Sequence, residues 1–232
     1  MKKQFFHLWL LFFMGFLLMS YSEEKRLHII IQPQFSSERV AENTWYVTEN
    51  NDSIQFSKLR FYLTNFEIEK KDGTRYSIPD SNFLVDVFSE ETLQLKFPDV
   101  SYAKGDELLF NIGVEKEMNT AGALAGALDP SNGMYWSWQS GYINFKLEGK
   151  SPSCASRKNK FQFHIGGYTA PYETTKRVHF ILNAPNEPIT LPLQIDAFFK
   201  NIQLKDEYQI MIPGEKASVI AATLPKLFSV NE

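Results

Sequence analysis

Two short stretches of this sequence hold the side chains best suited to chemistry. In GMYWSWQSGY, residues 133–142, an extended chain would place Met134, Trp136 and Trp138 on one face. In FQFHIGG, residues 161–167, His164 would point away from the apolar residues with which it alternates, and the following glycines leave open backbone around the imidazole. The question is whether these side chains form a binding site or pack as ordinary structure.

The structural alternative applies to both stretches. Methionine packs well against aromatic rings, so Met134 and the tryptophans could simply be core. A buried indole, however, needs a partner for its N–H group. A single histidine on a strand, such as His28, His164 or His179, is often a hydrogen-bonded surface group.

Several common chemistries lack their sequence patterns. There is no nucleophile elbow, phosphate-binding loop, dinucleotide fingerprint, calcium loop or zinc-ligand spacing. The carboxylates are scattered, and nothing pairs two of them for acid–base work. The sequence therefore predicts a protein that is not an enzyme.

The single cysteine, Cys154, excludes an internal disulfide, and no cysteine near the amino terminus is available for a lipid anchor. It lies in GKSPSCASRKNK, which is typical of a polar surface loop. Arg157 and Lys158 nearby would make an exposed thiol more acidic and reactive. The other interpretation is an incidental surface cysteine.

The amino terminus has the pattern of a secretory signal peptide. Lys2 and Lys3 precede an apolar run, residues 5–19, and small and charged residues follow. We predict a signal peptide over residues 1–22, since the apolar run is shorter than the roughly 20 residues of a spanning helix. The mature chain is then expected to be periplasmic or otherwise extracytoplasmic, with no membrane span. An uncleaved anchor is the weaker alternative.

The mature chain, residues 23–232, is predicted to be one domain. Without Lys2 and Lys3 its net charge moves from −3 to −5, which argues against a nucleic-acid partner. Because disulfides are absent, its stability must come from its own core.

The periodicity of the mature chain is mostly two, which predicts strands. The stretch KLRFYLTNFEIEKKDGTRYSIP is typical of a hairpin that turns at Asp72–Gly73, and LHIIIQPQF is a strand that Pro33 should confine to a sheet edge or a strand end. GEKASVIAATLPKLFSV is a helical segment broken by Pro225. We therefore predict an all-β fold, a single antiparallel β-sandwich with Greek-key-like connections and a short C-terminal helical segment.

Strand alternation also predicts which side chains share a face. In RFYLTNFEIEK, one face carries Phe61, Leu63 and Asn65, and the other carries Tyr62, Thr64 and Phe66. In SGYINFKLEG, the inner set is Ile143, Phe145 and Leu147, and the outer set is Tyr142, Asn144, Lys146 and Glu148.

Five segments follow one another along the chain: KLRFYLTNFEIEKKDG, NFLVD, LLFNIGVEKEMN, GALDPSNGMYWSWQSGYINFKLEG and FHIGG. In this order they resemble the MbnP-like family of extracytoplasmic copper-binding proteins, and the resemblance runs from about Leu27 to the C-terminus. The resemblance implies an exported β-sandwich that binds copper as Cu(I), through histidines and a tryptophan oxidised to kynurenine. It also implies a dihaem peroxidase-like partner linked to that oxidation.

Carried onto this chain, the resemblance assigns His164 as a copper ligand and either Trp136 or Trp138 as the oxidised residue. Met134 is a further soft ligand candidate, since imidazole and thioether groups suit copper. Relatives often carry a histidine near the position of Gln34 and a His-x-His close to the C-terminus, whereas this chain reads IIIQPQF and ends LFSVNE. His28 lies too far along its strand to replace the first of these, about 20 Å from that position.

The copper site is therefore expected to be incomplete, weak, or completed by Met134 or a second molecule. Two other functions stay open. One is a non-metal binding module with Trp136, Trp138 and Tyr135 or Tyr142 as a platform for a sugar or peptide. The other is a structural β-sandwich that keeps the fold and has lost the site.

Overall fold

The structure is a computed structural model that describes residues 27–97, 100–137, 139–183 and 188–228. The predicted signal peptide and Trp138 lie outside these residues. No helix in the described part of the chain is long and apolar enough to cross a bilayer.

Fourteen strands make up most of the regular structure that the described residues contain. They are β1 Leu27–Phe35, β2 Glu38–Arg39, β3 Trp45–Val47, β4 Ser53–Glu69, β5 Arg75–Ser77, β6 Phe83–Asp86, β7 Gln94–Phe97, β8 Glu107–Ile112, β9 Tyr135–Ser137, β10 Gly141–Lys150, β11 Lys160–Gly166, β12 Lys176–Ile181, β13 Ile189–Gln194 and β14 Gln209–Ile210.

The helices are short. They are α1 Lys116–Thr120, α2 Asp196–Phe199 and α3 Glu215–Ala221, with 3-10 turns at Glu90–Leu93, Gly126–Leu128, Pro130–Asn132, Arg157–Asn159 and Leu224–Phe228. The predicted C-terminal helical segment is confirmed as α3 and the 3-10 turn that contains Pro225.

Two sheets pack face to face, which confirms the all-β sandwich. The smaller sheet has the order β13-β1-β2, and β7 also pairs with β1. The larger has the order β12-β8-β4-β10-β11-β14, with β3, β5 and β6 also on β4 and β9 on β10. The pairing is antiparallel except for β1–β13 and β11–β14, which are parallel.

Pro33 lies inside β1 and not at its end. On one side β1 pairs with β13 along the whole of Ile29–Gln34, and on the other side it pairs with β7 up to Ile30 and with β2 from Gln34. The proline therefore falls in the gap between β7 and β2, where a missing N–H group breaks no ladder. The expected position at a sheet edge or a strand end was therefore wrong, since β1 has neighbouring strands on both sides and Pro33 lies within it.

Aromatic rings fill the space between the sheets. Phe61 of β4 stacks on Phe145 of β10 with ring centroids 5.8 Å apart, and Phe145 stacks on Phe198 of α2 at 5.5 Å. Phe228, near the C-terminus, packs edge-on against Phe61 at 5.9 Å. The chain bends from β13 into α2 after Gln194, and the two phenylalanines of α2 are buried in this core.

A bulge in β4 changes the predicted faces of that strand. Asn65 has φ 52°, in the left-handed region, and the pairing with β8 shifts between Thr64 and Glu67. The extra residue moves Phe66 onto the same face as Phe61, so Phe66 lies in the main core and not opposite it as predicted.

Cys154 is also placed differently from its prediction. The segment around it is a surface turn, but the thiol is buried in the main core. Burial raises the pKa of the Cys154 thiol to about 11. The thiol is therefore a packing group and not the acidic, exposed nucleophile that Arg157 and Lys158 suggested.

The bulge at Asn65 gives a test of the fold. Alanine at this position must adopt the left-handed conformation at a cost of about 1–2 kcal/mol, whereas glycine adopts it freely. Both changes remove the bond from the Asn65 side chain to Glu115 Oε1, 2.8 Å long. Urea unfolding should therefore show Asn65→Ala to be less stable than Asn65→Gly by about 1 kcal/mol. An alanine variant as stable as the glycine variant would contradict the bulge.

Candidate metal centre

His164 lies on the outer face of the larger sheet. Along β11, Phe161, Phe163 and Ile165 enter the main core, while Gln162, His164 and Gly166 point the other way. His164 is nevertheless only 5% exposed, because side chains from neighbouring segments cover it. A polar group buried to this degree needs a hydrogen-bond partner.

Glu148 of β10 is that partner. Its Oε1 lies 2.7 Å from Nε2 of His164, diagonally across the antiparallel β10–β11 pair. The hydrogen bond from His164 is the main cause that lowers the pKa of Glu148 below its ordinary value, so the carboxylate is ionised and accepts the bond. Nε2 is then the nitrogen that carries the proton, which leaves the lone pair of the neutral ring on Nδ1.

Lys146 lies directly opposite His164 on β10. Its Nζ donates to the carbonyl oxygen of Gly133 at 2.8 Å and lies 4.0 Å from Oε1 of Glu148. Burial is the main cause that lowers the pKa of Lys146. Arg60 and Lys58 lie opposite Lys146 and Glu148 on β4, so the surroundings of His164 carry more positive than negative charge.

Trp136, on β9, lies on the same face of β11. A Cβ built on Gly166 would be 2.7 Å from Cζ3 of the indole and 2.5 Å from the carbonyl oxygen of Tyr142. The indole therefore rests against the backbone of Gly166, where only a glycine leaves room. Gly166 is two residues from His164, or about 6.6 Å along the strand, so the structure brings Trp136 and His164 together on one surface.

Met134 occupies a different place. It is fully buried in a second, smaller apolar cluster on the outer face of β4 and β10, the satellite cluster. The satellite cluster consists of Tyr62, Val114, Leu128, Met134, Tyr142 and Ile143, and Trp136 packs against its edge. Ile143 was predicted to face the main core, but a bulge between it and Phe145 turns it into this cluster.

A residue that sequence reasoning missed lies on the other side of His164. The parallel pair β11–β14 aligns Gln162 with Gln209 and Phe163 with Ile210, where β14 ends. Continuing that register by one residue places Met211 next to His164. Because Ile210 is buried in the main core, Met211 projects to the outer face. The only sequence signal was the alternation in YQIMIPG, which gives no register for a parallel pair.

The other polar positions of interest lie far from this surface. Gln34 and His28 are on the outer face of the smaller sheet, and Gln34 accepts a bond from Gln194 at 3.0 Å. The sandwich core therefore separates Gln34 from His164, and a histidine at position 34 could not share a metal with it. His179, on β12, is exposed and lies 3.4 Å from Glu107.

Within the described residues, no three histidine, cysteine or acidic side chains gather as a metal-binding group. Among the described side chains, His164 is the one whose hydrogen bonding most resembles that of a metal ligand. Histidines that bind metals usually donate their second ring N–H to a carboxylate, as His164 does to Glu148. The chemistry of this donor fits a metal that accepts imidazole nitrogen with few hard ligands, and copper is such a metal.

The contact between Trp136 and Gly166 can be tested by substitution. In Gly166→Ala, the new methyl group overlaps the indole and the Tyr142 carbonyl, and such overpacking costs roughly 1–3 kcal/mol. Chemical denaturation should show this loss, and the loss should shrink in a Trp136→Ala background because one of the two obstacles is gone. An equal cost in both backgrounds would place the indole elsewhere.

Comparison with known proteins agrees with this architecture. The family model MbnP matches residues 24–212. Among solved structures, MbnP from Methylosinus trichosporium is similar, with a TM-score of 0.60 and 14% sequence identity over 78% of this chain and 79% of that chain. Comparison with curated protein sequences finds no significant match. Since the family model spans most of the sequence, the chain belongs to the MbnP family.

Proposed function

We propose that this chain is an extracytoplasmic copper-binding protein that holds Cu(I) on the outer face of β11, for copper acquisition or homeostasis. The observation that carries this proposal is the pairing of His164 with Glu148, beside Trp136 on the same face. Membership of the MbnP family and the resemblance of the GMYWSWQSGY and FHIGG segments support it.

In this proposal each residue has a separate task. Glu148 holds the imidazole through Nε2 and so directs Nδ1 of His164 to the metal. Trp136 covers the strand beside His164 and limits the access of water. The positive charges of Lys146, Lys58 and Arg60 favour a monovalent ion, because a divalent ion would meet stronger repulsion from them.

We further propose that Trp136 is the substrate of the dihaem peroxidase-like partner implied by the resemblance. Two equivalents of hydrogen peroxide, each reduced to water, would supply the two oxygen atoms that cleave the C2–C3 bond of the indole. Hydrolysis of the resulting formamide releases formate and leaves kynurenine. The product offers a ketone oxygen and an aniline nitrogen where the indole offers no lone pair.

The proposed role is binding and not catalysis. Among the described residues, the hydrogen-bond partners of these imidazoles are carboxylates, Glu148 for His164 and Glu107 for His179, and not hydroxyl or thiol groups. Export through the predicted signal peptide, residues 1–22, would place this binding outside the cytoplasm.

A sugar or peptide platform, the main alternative, is less well supported. Tyr142, one of its predicted members, is buried in the satellite cluster, and its hydroxyl donates to the carbonyl oxygen of Leu128 at 2.8 Å. The carboxylate of Glu148, on the same face of the sheet, is engaged by His164. These side chains are not free to meet a flat ligand.

An anaerobic Cu(I) competition titration of the mature chain, purified from its native compartment, tests the proposal. We expect one copper per chain and at least about tenfold weaker binding in His164→Ala, a change of roughly 1.4 kcal/mol. His179→Ala is the matched control, since His179 is exposed on another strand. Equal affinity of the His164 variant and the unsubstituted chain would remove His164 from any copper site.

A further inference from the structure

We propose that Met211 is the second copper ligand of this chain, with its thioether sulfur beside the imidazole of His164. The inference rests on the proposed copper-binding function and names a residue that neither the sequence pattern nor the family resemblance identified.

The strand register brings the two side chains together. The backbone N–H of Gln162 donates to the carbonyl oxygen of Tyr208 at 2.8 Å, which places Gln162 opposite Gln209 in a parallel pair. Two residues further on, the same register sets His164 opposite Met211. Neighbouring strands lie about 4.8 Å apart, a distance that one metal ion can span between two side chains on the same face.

The chain beyond β14 keeps this path. A Cβ built on Gly167 would lie 3.2 Å from Cβ of Pro213, so residues 211–213 continue beside residues 164–167. Met211 is thus held next to His164 from both sides, by the β11–β14 pairing before it and by the contact at Pro213 after it.

The orientation of the sulfur follows from its neighbours. Ile210 is 5% exposed and enters the main core, so Gln209 and Met211 share the outer face with His164. Nε2 of Gln209 donates to Sδ of Met211 at 3.2 Å. This bond holds the thioether on that face and uses one sulfur lone pair, which leaves the second lone pair for a metal.

The chemistry of the pair selects the metal. A thioether is a soft, uncharged ligand that suits Cu(I) and is a poor ligand for hard cations such as magnesium or calcium. It carries no proton at any physiological pH, so it needs no deprotonation to bind. With Lys146 opposite His164 on the other neighbouring strand, a site of neutral ligands is again better suited to a monovalent ion.

In this proposal, Met211 supplies the second copper ligand that the family's histidines would provide in other members. The position of Gln34 is on the far side of the sandwich, and Met134 is fully buried in the satellite cluster. Met211 is half-buried on the outer face of the larger sheet, next to β11. Trp136 at Gly166 and Met211 beside His164 then border the imidazole from two directions.

The test compares Met211→Leu with Met134→Leu, two substitutions that remove sulfur and keep a similar apolar volume. Anaerobic Cu(I) competition titrations should show at least tenfold weaker binding for Met211→Leu and no change for Met134→Leu. Copper K-edge X-ray absorption of the unsubstituted chain should show a sulfur neighbour together with nitrogen, and the sulfur should disappear in Met211→Leu alone.

The outcomes separate this inference from the proposed function. If His164→Ala weakens binding and Met211→Leu does not, His164 stays a ligand and Met211 is not one. If neither substitution weakens Cu(I) binding, the proposed copper site on β11 is itself contradicted. Absence of sulfur scattering in the unsubstituted protein would overturn the inference even if Met211→Leu were too unstable to purify.

Discussion

The burial of three apolar side chains of β11 is the constraint on which the rest of the site depends. Phe161, Phe163 and Ile165 all lie in the main core, and their alternation leaves only the intervening residues for the outer face. A slip of one residue would drive His164 among phenylalanines and expose those rings. The core therefore fixes the direction of the imidazole before any polar contact forms.

The polar contacts then refine what the core has fixed. An imidazole that is 5% exposed would be costly without a partner, and Glu148 removes that cost at a hydrogen-bond distance of 2.7 Å. The same bond sets the orientation of the ring. On the other edge of β11, the parallel pairing with β14 brings a thioether to the same surface. The same strand, β11, therefore contributes apolar side chains to the core and holds His164 in a fixed orientation on the outer face.

Much of this arrangement follows from the sequence. Strict alternation predicted the outward direction of His164, the Asp72–Gly73 turn predicted the β4–β5 hairpin, and the motif order indicated the family. What alternation cannot show is an added residue in a strand. The bulges at Asn65 and after Ile143 each reversed a predicted face, because a bulge depends on tertiary pairing and not on local composition. Met211 was missed because the register of a two-residue parallel strand is set by its neighbour.

The most direct measurement is an anomalous difference map at the copper edge, from crystals of the mature chain grown anaerobically with Cu(I). We expect a single strong peak on the outer face of β11, within bonding distance of His164 and between it and Met211. A copper peak beside His28, on the smaller sheet, would contradict a copper site on β11. So would a peak beside His179, on β12 at the far end of the larger sheet.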